Sequence, residues 1–256
     1  QGRFGTVEYG EKTGCTENEE KSDPAEDITE AVEVYWQQEL AIYDVHVIDK
    51  KGIFLNEKEF LPHEVVYRLP PQISDAGTRV EQVRRDLERL VRMGVNVIRL
   101  EGTGTGAEGV NCSEVRTFYS LCRKRGFLTG DLWIRPENLP VYRGLPGETT
   151  CQALLAADGR TLTERYYYYQ AKWSSEPVLY PVLSTLHRQE NGLLSLTIYS
   201  NQKKVVLYVD GLLFLFQTAT SGDPEFIFED IPVEKLPLHL AVEAGNLSIS
   251  LTVTKL

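Results

Sequence analysis

The chain has 256 residues and a mass of 29.0 kDa, with 42% hydrophobic and 25% charged residues, values typical of a globular protein of one large domain or two ordinary ones. Its net charge of −10 and isoelectric point of 5.0 disfavour nucleic acids and anionic membranes as partners. No apolar run reaches the length of a membrane span. The four cysteines show neither a C-x-x-C spacing nor a histidine cluster, so we predict no metal site and no cofactor.

Residues 1–34 are predicted to form a polar N-terminal segment or linker. Within them, residues 11–30 are acidic and rich in turn formers. The chain starts at Gln1 without Met or a signal peptide, so we expect processing or excision and leave the compartment open. The stretch 32–47 favours β-strand because it contains several β-formers, namely Val34, Trp36, Ile42, Val45 and Val47. A turn at residues 49–52 then leads into a strand at residues 53–55.

Residues 35–138 alternate between strand and helix patterns. Thr78-Arg79-Val80-Glu81 reads as a capping box that begins a helix, and Gly94 ends that helix. A strand is predicted at residues 95–100, a second helix at 113–125 and a third strand at 127–134. The second helix is predicted to bury Val115, Phe118, Tyr119 and Cys122. This βαβαβ order predicts parallel strands joined by right-handed crossovers.

The second half of the chain changes character. Residues 139–165 contain a Pro/Gly-rich stretch and are predicted to be a connector. From Tyr166 onward the pattern favours strands, with Asp210-Gly211 as a strong hairpin signal. The predicted strands cover residues 194–199, 205–209, 227–231, 238–242 and 247–253. Their regular spacing predicts an immunoglobulin-like β-sandwich over residues 166–256, so the fold class is α/β plus all-β.

Several phrases, taken in order, resemble glycoside hydrolase family two, the β-galactosidase-like enzymes. They are Gly52 to Phe60, Arg85 to Arg99, Phe118 to Phe127, Tyr166 to Pro177 and Leu207 to Gly211. The resemblance covers most of residues 34–134 and 153–215. It implies a partial (β/α) barrel segment over residues 35–138, shortened because a full barrel needs about 250 residues, followed by the sandwich domain.

The resemblance implies a protein of carbohydrate metabolism with a carbohydrate as its partner. Family chemistry needs two carboxylates that flank a glycosidic bond. The family's acid/base follows an Asn-Glu pair on barrel strand four and its nucleophile lies on strand seven, and neither segment is recognisable in this sequence. Asn56-Glu57 lies instead in the hairpin that opens the barrel, and a glycine-rich stretch replaces the His-Tyr-Pro that usually follows the position of Arg99. We therefore expect this chain to lack the family's catalytic acid/base and nucleophile.

Other residues are candidates for a rebuilt site. Glu101 follows the second strand and Asp131 lies within or beside the third, so both are candidate catalytic carboxylates. Trp133 and Trp173 are candidate substrate-binding residues, since aromatic rings stack on sugars. Arg99 is a third candidate because the resemblance carries it over by position, and its other predicted role is a structural ion pair or hydrogen bond near the strand end. Trp173 is also predicted to pack where barrel and sandwich meet, and at least half of the Tyr166–Tyr169 run is predicted to be core or interdomain packing. His63 is predicted to be a surface or capping residue.

Two alternatives come from different functional classes. Gly104 to Gly109 matches G-x-G-x-x-G between a strand and a helix, which is the pattern of a nucleotide-binding turn. A non-catalytic carbohydrate-binding or scaffold module is the other alternative. The missing barrel strands are predicted to leave an open sheet edge, which another copy of the chain in a homo-oligomer, or a further segment, would cover.

Overall fold

The computed structural model describes residues 44–48, 51–70, 76–101, 112–129, 139–144, 153–220 and 222–255, together with the backbone of strands at residues 4–6 and 39–41. The chain divides into two compact units, Gln1–Leu61 and Pro62–Leu256.

The first unit contains short antiparallel strands. Strand β1 (Phe4–Thr6) pairs with β2 (Glu39–Ala41), and β3 (Val45–Ile48), β4 (Gly52–Leu55) and β5 (Lys58–Glu59) form a meander. Asn56 and Glu57 both have positive φ angles, 50° and 67°, which is the backbone of a tight hairpin turn. The strands predicted at residues 45–47 and 53–55 are confirmed, whereas Val34, Trp36 and Ile42 lie outside the described residues.

The second unit begins with a parallel sheet. Among the described residues it has five strands in the order β10-β9-β6-β7-β8, and every pairing is parallel. The strands are β6 (Glu64–Arg68), β7 (Val97–Glu101), β8 (Leu128–Thr129), β9 (Val141–Arg143) and β10 (Ala153–Leu155). Helix α1 (Ala76–Met93) joins β6 to β7, and α2 (Cys112–Lys124) joins β7 to β8. The predicted alternation of strands and helices and the parallel pairing are confirmed, but the first strand was misplaced. It is β6 (Glu64–Arg68), whereas the predicted residues 53–55 lie in the antiparallel meander of the first unit.

Local details of the two helices correct the sequence interpretation. Helix α1 begins at Ala76, so Thr78 lies inside the helix and the predicted capping box is wrong. Gly94 does end the helix, with φ of 87° and its N–H bonded to the carbonyl of Val91. In α2, Phe118 and Cys122 are buried as predicted, but Tyr119 is 37% exposed. Leu121, which was not predicted to face inward, is buried instead.

The predicted connector contains part of the sheet. Strands β9 and β10 lie within residues 139–165 and extend the parallel sheet beyond β6. Each strand has only three residues, so neither produces a periodic pattern that a sequence reading would detect.

The tyrosine run is helical, so its assignment to a strand is wrong. Helix α3 spans Glu164–Trp173 and packs beside α1, where the buried Tyr166 hydroxyl donates a hydrogen bond to the carbonyl of Arg89. Tyr166, Tyr169 and Trp173 recur at helical spacing and contact the same core. Burial of this face overrides the strand propensity of tyrosine.

The remaining strands form two antiparallel sheets. Among the described residues the orders are β11-β12-β15 and β14-β13-β16-β17, and both sheets contribute to one buried apolar cluster. The strands are β11 (Leu179–Arg188), β12 (Leu194–Ser200), β13 (Lys204–Val209), β14 (Leu212–Thr218), β15 (Glu225–Ile231), β16 (Leu238–Ala244) and β17 (Leu247–Val253). Asp210 and Gly211 form the predicted hairpin turn between β13 and β14, with φ angles of 48° and 81°.

Candidate functional site

The carboxyl edge of the parallel sheet is the candidate site, because ligands of such sheets bind beyond the carboxyl ends of the strands. Arg68, Glu101 and Arg143 are the last residues of β6, β7 and β9. Arg68 and Glu101 are register partners, and the Arg68 Nε donates to Glu101 Oε2. Arg68 Nη1 also donates to the carbonyl of Arg143 at 3.3 Å. The Glu101 side chain is 47% exposed, so this predicted candidate lies at the surface as half of an ion pair.

A second ion pair lies deeper on the same two strands. Arg99 Nε donates to Glu64 Oε1 at 2.9 Å, and the Glu64 side chain is fully buried. Successive side chains of a strand point to opposite faces of the sheet. Val65 and Tyr67 pack into the core on the helix side, so Glu64 and Arg68 point to the other face. Both ion pairs therefore lie on the face of the sheet opposite the helices, and Arg99 is engaged by a carboxylate of its neighbouring strand.

A buried carboxylate on the helix side was not singled out by the sequence interpretation. Asp86 of α1 is 1% exposed and accepts hydrogen bonds from the Tyr67 hydroxyl at 3.0 Å, the Tyr142 hydroxyl at 3.0 Å and Arg143 Nη2 at 2.7 Å. Arg89 Nη1 lies 3.6 Å from Asp86 Oδ1, the oxygen that accepts from the Tyr142 hydroxyl. We call Asp86 with Tyr67, Tyr142 and Arg143 the Asp86 hub. A signal was present, since Asp86 interrupts the apolar helical stripe of Val83, Leu87 and Leu90.

Electrostatics within the Asp86 hub follow from burial. Burial raises the pKa of Tyr67, and the neighbouring Asp86 charge raises it further. The pKa of Tyr142 is raised for the same reasons, again with burial as the largest cause. Both hydroxyls therefore keep their protons at neutral pH and act as donors to Asp86. The hub links α1 to β6 and β9, and it holds Arg143 at the carboxyl edge.

Trp173 lies at the opposite edge of the sheet from Glu101. Its ring stacks on His63 with a centroid distance of 5.1 Å and an angle of 7° between the planes. His63 precedes β6, and its Nδ1 donates to the carbonyl of Gly94 at 2.8 Å, which is the capping role predicted for it. A five-residue strand separates the two edges by about 16 Å. Trp173 and Glu101 therefore do not belong to one site.

Two predicted site residues, Asp131 and Trp133, lie outside the described residues, as does the Gly104–Gly109 stretch. Within the described part of the chain, no group of three or more His, Cys, Asp or Glu side chains is arranged to hold a metal ion. No helix in that part is both long enough and apolar enough to cross a membrane.

Ser195 and His187 form a polar contact that does not amount to a nucleophile and base. The Ser195 Oγ lies 3.5 Å from Nδ1 and 3.4 Å from Nε2 of the imidazole, so it points along the lone pair of neither nitrogen. His187 Nδ1 instead donates to the carbonyl of Thr185 at 2.7 Å, and Ser195 Oγ lies 3.3 Å from the same carbonyl. This geometry does not activate the serine.

The fold is similar to that of solved β-glucuronidases. An FMN-binding β-glucuronidase from Facaelibacterium prausnitzii L2-6 matches 87% of this chain and 60% of its own, with a TM-score of 0.57 and 13% identity. A Bacteroides uniformis β-glucuronidase matches 86% of this chain and 49% of its own, with a TM-score of 0.59 and 12% identity. For a Parabacteroides merdae β-glucuronidase the shares are 88% and 52%, with a TM-score of 0.59 and 10% identity.

No protein-family model and no curated protein matches the chain. The chain spans between about half and 60% of the length of the solved structures named above. At these identities the likeness concerns the fold: a mixed structure, mostly of β-sheets with few helices, that contains a parallel sheet and has glycosidase neighbours.

Proposed function

We propose that the chain is a glycoside hydrolase family two-like protein of carbohydrate metabolism that does not hydrolyse glycosides through the family mechanism. In this proposal the parallel sheet is a shortened (β/α) barrel, residues 139–165 carry two further strands of it, and residues 166–256 hold the immunoglobulin-like sandwich. The order β10-β9-β6-β7-β8 and the likeness to β-glucuronidase folds support this assignment.

The arrangement of Glu64 and Glu101 carries the proposal. A retaining glycosidase needs two carboxyl groups about 5–5.5 Å apart, and an inverting one needs them about 6.5–9.5 Å apart. Glu64 is in register with Val97, four residues before Glu101, which places the two backbones about 13 Å apart along the strands. Each carboxylate is also bonded to an arginine. The separation of the two backbones and the arginine contact of each carboxylate support the view that Glu64 and Glu101 are not a glycosidase pair.

Asp158, in the turn after β10, does not supply the missing acid. Hydrogen bonds from the Thr161 hydroxyl and from the N–H groups of Thr161 and Arg160 lower the pKa of Asp158 to about 2. A general acid in a glycosidase needs a raised pKa so that it keeps its proton. Asp158 is ionised at neutral pH and cannot donate one.

Hydrolysis of aryl glycosides tests the proposal. The purified chain is expected to release 4-nitrophenol from 4-nitrophenyl β-galactoside and from 4-nitrophenyl β-glucuronide no faster than buffer does. Galactose and glucuronate are each expected to raise the thermal unfolding midpoint of the chain. The variants Glu101→Gln and Asp131→Asn test whether either candidate carboxylate is needed for any hydrolysis that is observed. Glu81→Gln, on the exposed face of α1, is the matched control. The proposal would be contradicted if the chain hydrolysed either substrate and if this activity were lost in Glu101→Gln or Asp131→Asn but kept in Glu81→Gln. Absence of any sugar-dependent stabilisation would remove carbohydrate as the partner.

A further inference from the structure

Strand β14 is an edge strand with an unusual composition. It pairs only with β13 among the described strands, and its sequence, Leu-Leu-Phe-Leu-Phe-Gln-Thr, contains no charge. Its side chains are largely exposed: Leu212 by 76%, Leu213 by 60%, Leu215 by 43% and Phe216 by 52%. Natural edge strands usually carry lysine, proline or another charge that prevents pairing with a further strand. Strand β14 carries none of these residues. It does carry one bulge, since Leu213 and Leu215 pair with the consecutive residues Tyr208 and Leu207.

The exposed apolar groups of β14 lie on both faces of its sheet. Leu215 is opposite Leu207, which faces the core, whereas Phe216 is opposite Val206 on the other face. A ligand resting on one face would leave the other exposed. A strand added along the edge would contact both faces and bond to the unpaired backbone groups at once. The surface therefore fits a β-strand.

We propose that β14 pairs antiparallel with β14 of a second copy of this chain, about a two-fold axis near Leu215. Charge at the two ends of the strand favours a second copy as the partner. Asp210 is exposed at one end, and Lys203 and Lys204 are exposed at the other, with Lys204 in register with Thr218. An antiparallel two-fold pairing brings the acidic end of one copy beside the basic end of the other, twice.

Two further contacts support this surface. Lys204 Nζ lies 4.2 Å from the centroid of the Phe216 ring, which holds the cation at the basic end of the strand. Gln217 Nε2 donates to the carbonyl of Ile227 at 2.6 Å and ties β14 to β15, whose Ile227 is 51% exposed. The apolar surface thus continues from β14 onto β15 and widens the contact. A strand lacking charge also lets two copies approach although each has a net charge of −10.

Sedimentation equilibrium of the full chain, from low micromolar to about 100 µM, tests the dimer. We expect a reversible monomer–dimer equilibrium with a dimer of twice 29.0 kDa. Leu213→Lys is expected to raise the dissociation constant at least about tenfold, since it places a charge in the new strand pair. Leu183→Lys is the matched control, because Leu183 is 55% exposed on β11, an edge strand of the other sheet. It is expected to leave the dimer intact.

Hydrogen exchange on the wild-type chain tests the same pairing without any substitution. Amides of β14 are expected to exchange more slowly as the concentration rises, while those of β11 do not change. The proposal is overturned if the chain sediments as a monomer at all concentrations, which would mean that β14 does not bind a second copy. It is also overturned by heterogeneous larger assemblies, by a dimer that survives Leu213→Lys, or by equal weakening from Leu183→Lys.

Discussion

The parallel sheet and the antiparallel sheets of the Pro62–Leu256 unit are stabilised by different chemistry. Around the parallel sheet, the buried side chains include Glu64, which is paired with Arg99, and Asp86 and Arg143, which belong to the Asp86 hub. Among the described residues of the antiparallel sheets, the buried polar side chains are the serines Ser195 and Ser200, and the shared core is apolar.

This difference predicts that the two regions tolerate amino-acid substitution to different degrees. A buried ion satisfied by fixed partners is stable only when every partner is present, because an unpaired buried charge is costly. An apolar core loses stability in proportion to the volume removed and accepts swaps of similar size. We therefore expect the parallel sheet to tolerate substitution less well than the antiparallel sheets.

Asp86→Ala is expected to have the largest effect. It leaves the hydroxyls of Tyr67 and Tyr142 and the guanidinium of Arg143 without their common acceptor, and we expect the free energy of unfolding to fall by about 3–5 kcal/mol. Urea denaturation followed by circular dichroism measures the loss. The exposed Glu81 on the same helix provides the control, and Glu81→Ala should change stability by no more than about 0.5 kcal/mol. Equal losses in the two variants would show that the hub is not specific.

Gly94→Ala and Gly211→Ala compare two left-handed glycines, one in each region. A Cβ on Gly94 would lie 2.4 Å from the backbone oxygen of Trp173, whereas a Cβ on Gly211 meets nothing within 4 Å. Their φ angles are similar, 87° and 81°. We expect Gly94→Ala to cost about 2–4 kcal/mol and Gly211→Ala about 1–2 kcal/mol, both measured by thermal denaturation. Similar losses would mean that the close approach of α3 to Gly94 contributes little.

Leu240→Met tests the tolerance of the apolar core. Leu240 is 1% exposed within the cluster shared by the two antiparallel sheets. Because methionine has a similar volume and a flexible side chain, we expect a loss below about 1.5 kcal/mol. Asp86→Asn, an equally small change in volume, should cost more, since it removes the charge that pairs with Arg143 and replaces one acceptor oxygen with an NH2 donor among the donors of the Asp86 hub. A larger loss from Leu240→Met than from Asp86→Asn would reverse the comparison.

Asp158 is expected to have the smallest effect, visible as a pH dependence. Its pKa is lowered from 3.8 to about 2 in the folded chain, so its stabilising contribution is present above pH 3.8 and is lost as the pH falls through about 2. NMR titration of the Asp158 carboxyl carbon should show this low midpoint. Thr161→Val removes the hydroxyl donor and should move the midpoint toward 3.8. A midpoint near 3.8 in the unsubstituted chain would contradict the hydrogen-bonded turn.

Local signals predicted part of this fold. Helix α2 followed from apolar spacing and Gly126, and the β13–β14 hairpin followed from Asp210-Gly211, because a positive φ is required there and these residues tolerate it. The start of α1 was misplaced, since Thr78 and Glu81 also fit a helix interior. The tyrosine run was assigned to a strand because its propensity is local, whereas its contact with α1 is not.

The candidate site shows the same division. Glu101 and Arg99 could be placed near the end of a strand from the sequence, but their partners, Arg68 and Glu64, depend on which strands are neighbours and in what register. Asp86 could be seen as an acid in an apolar stripe. Its donors Tyr142 and Arg143 come from a strand more than fifty positions later, in a segment predicted to be a connector.

Local patterns in the sequence predicted the alternation of strands and helices, parallel pairing in the first part of the chain, and strands β12, β13, β15, β16 and β17 of the second half, but neither β6 nor β11. These features depend on residue periodicity and turn geometry within a few neighbours. Tertiary packing accounts for the rest: α3 is a helix, β9 and β10 extend the parallel sheet, and Asp86 finds its hydrogen-bond donors at the centre of the Asp86 hub. Each of these depends on burial against residues distant in the chain, where packing and desolvation outweigh local preference.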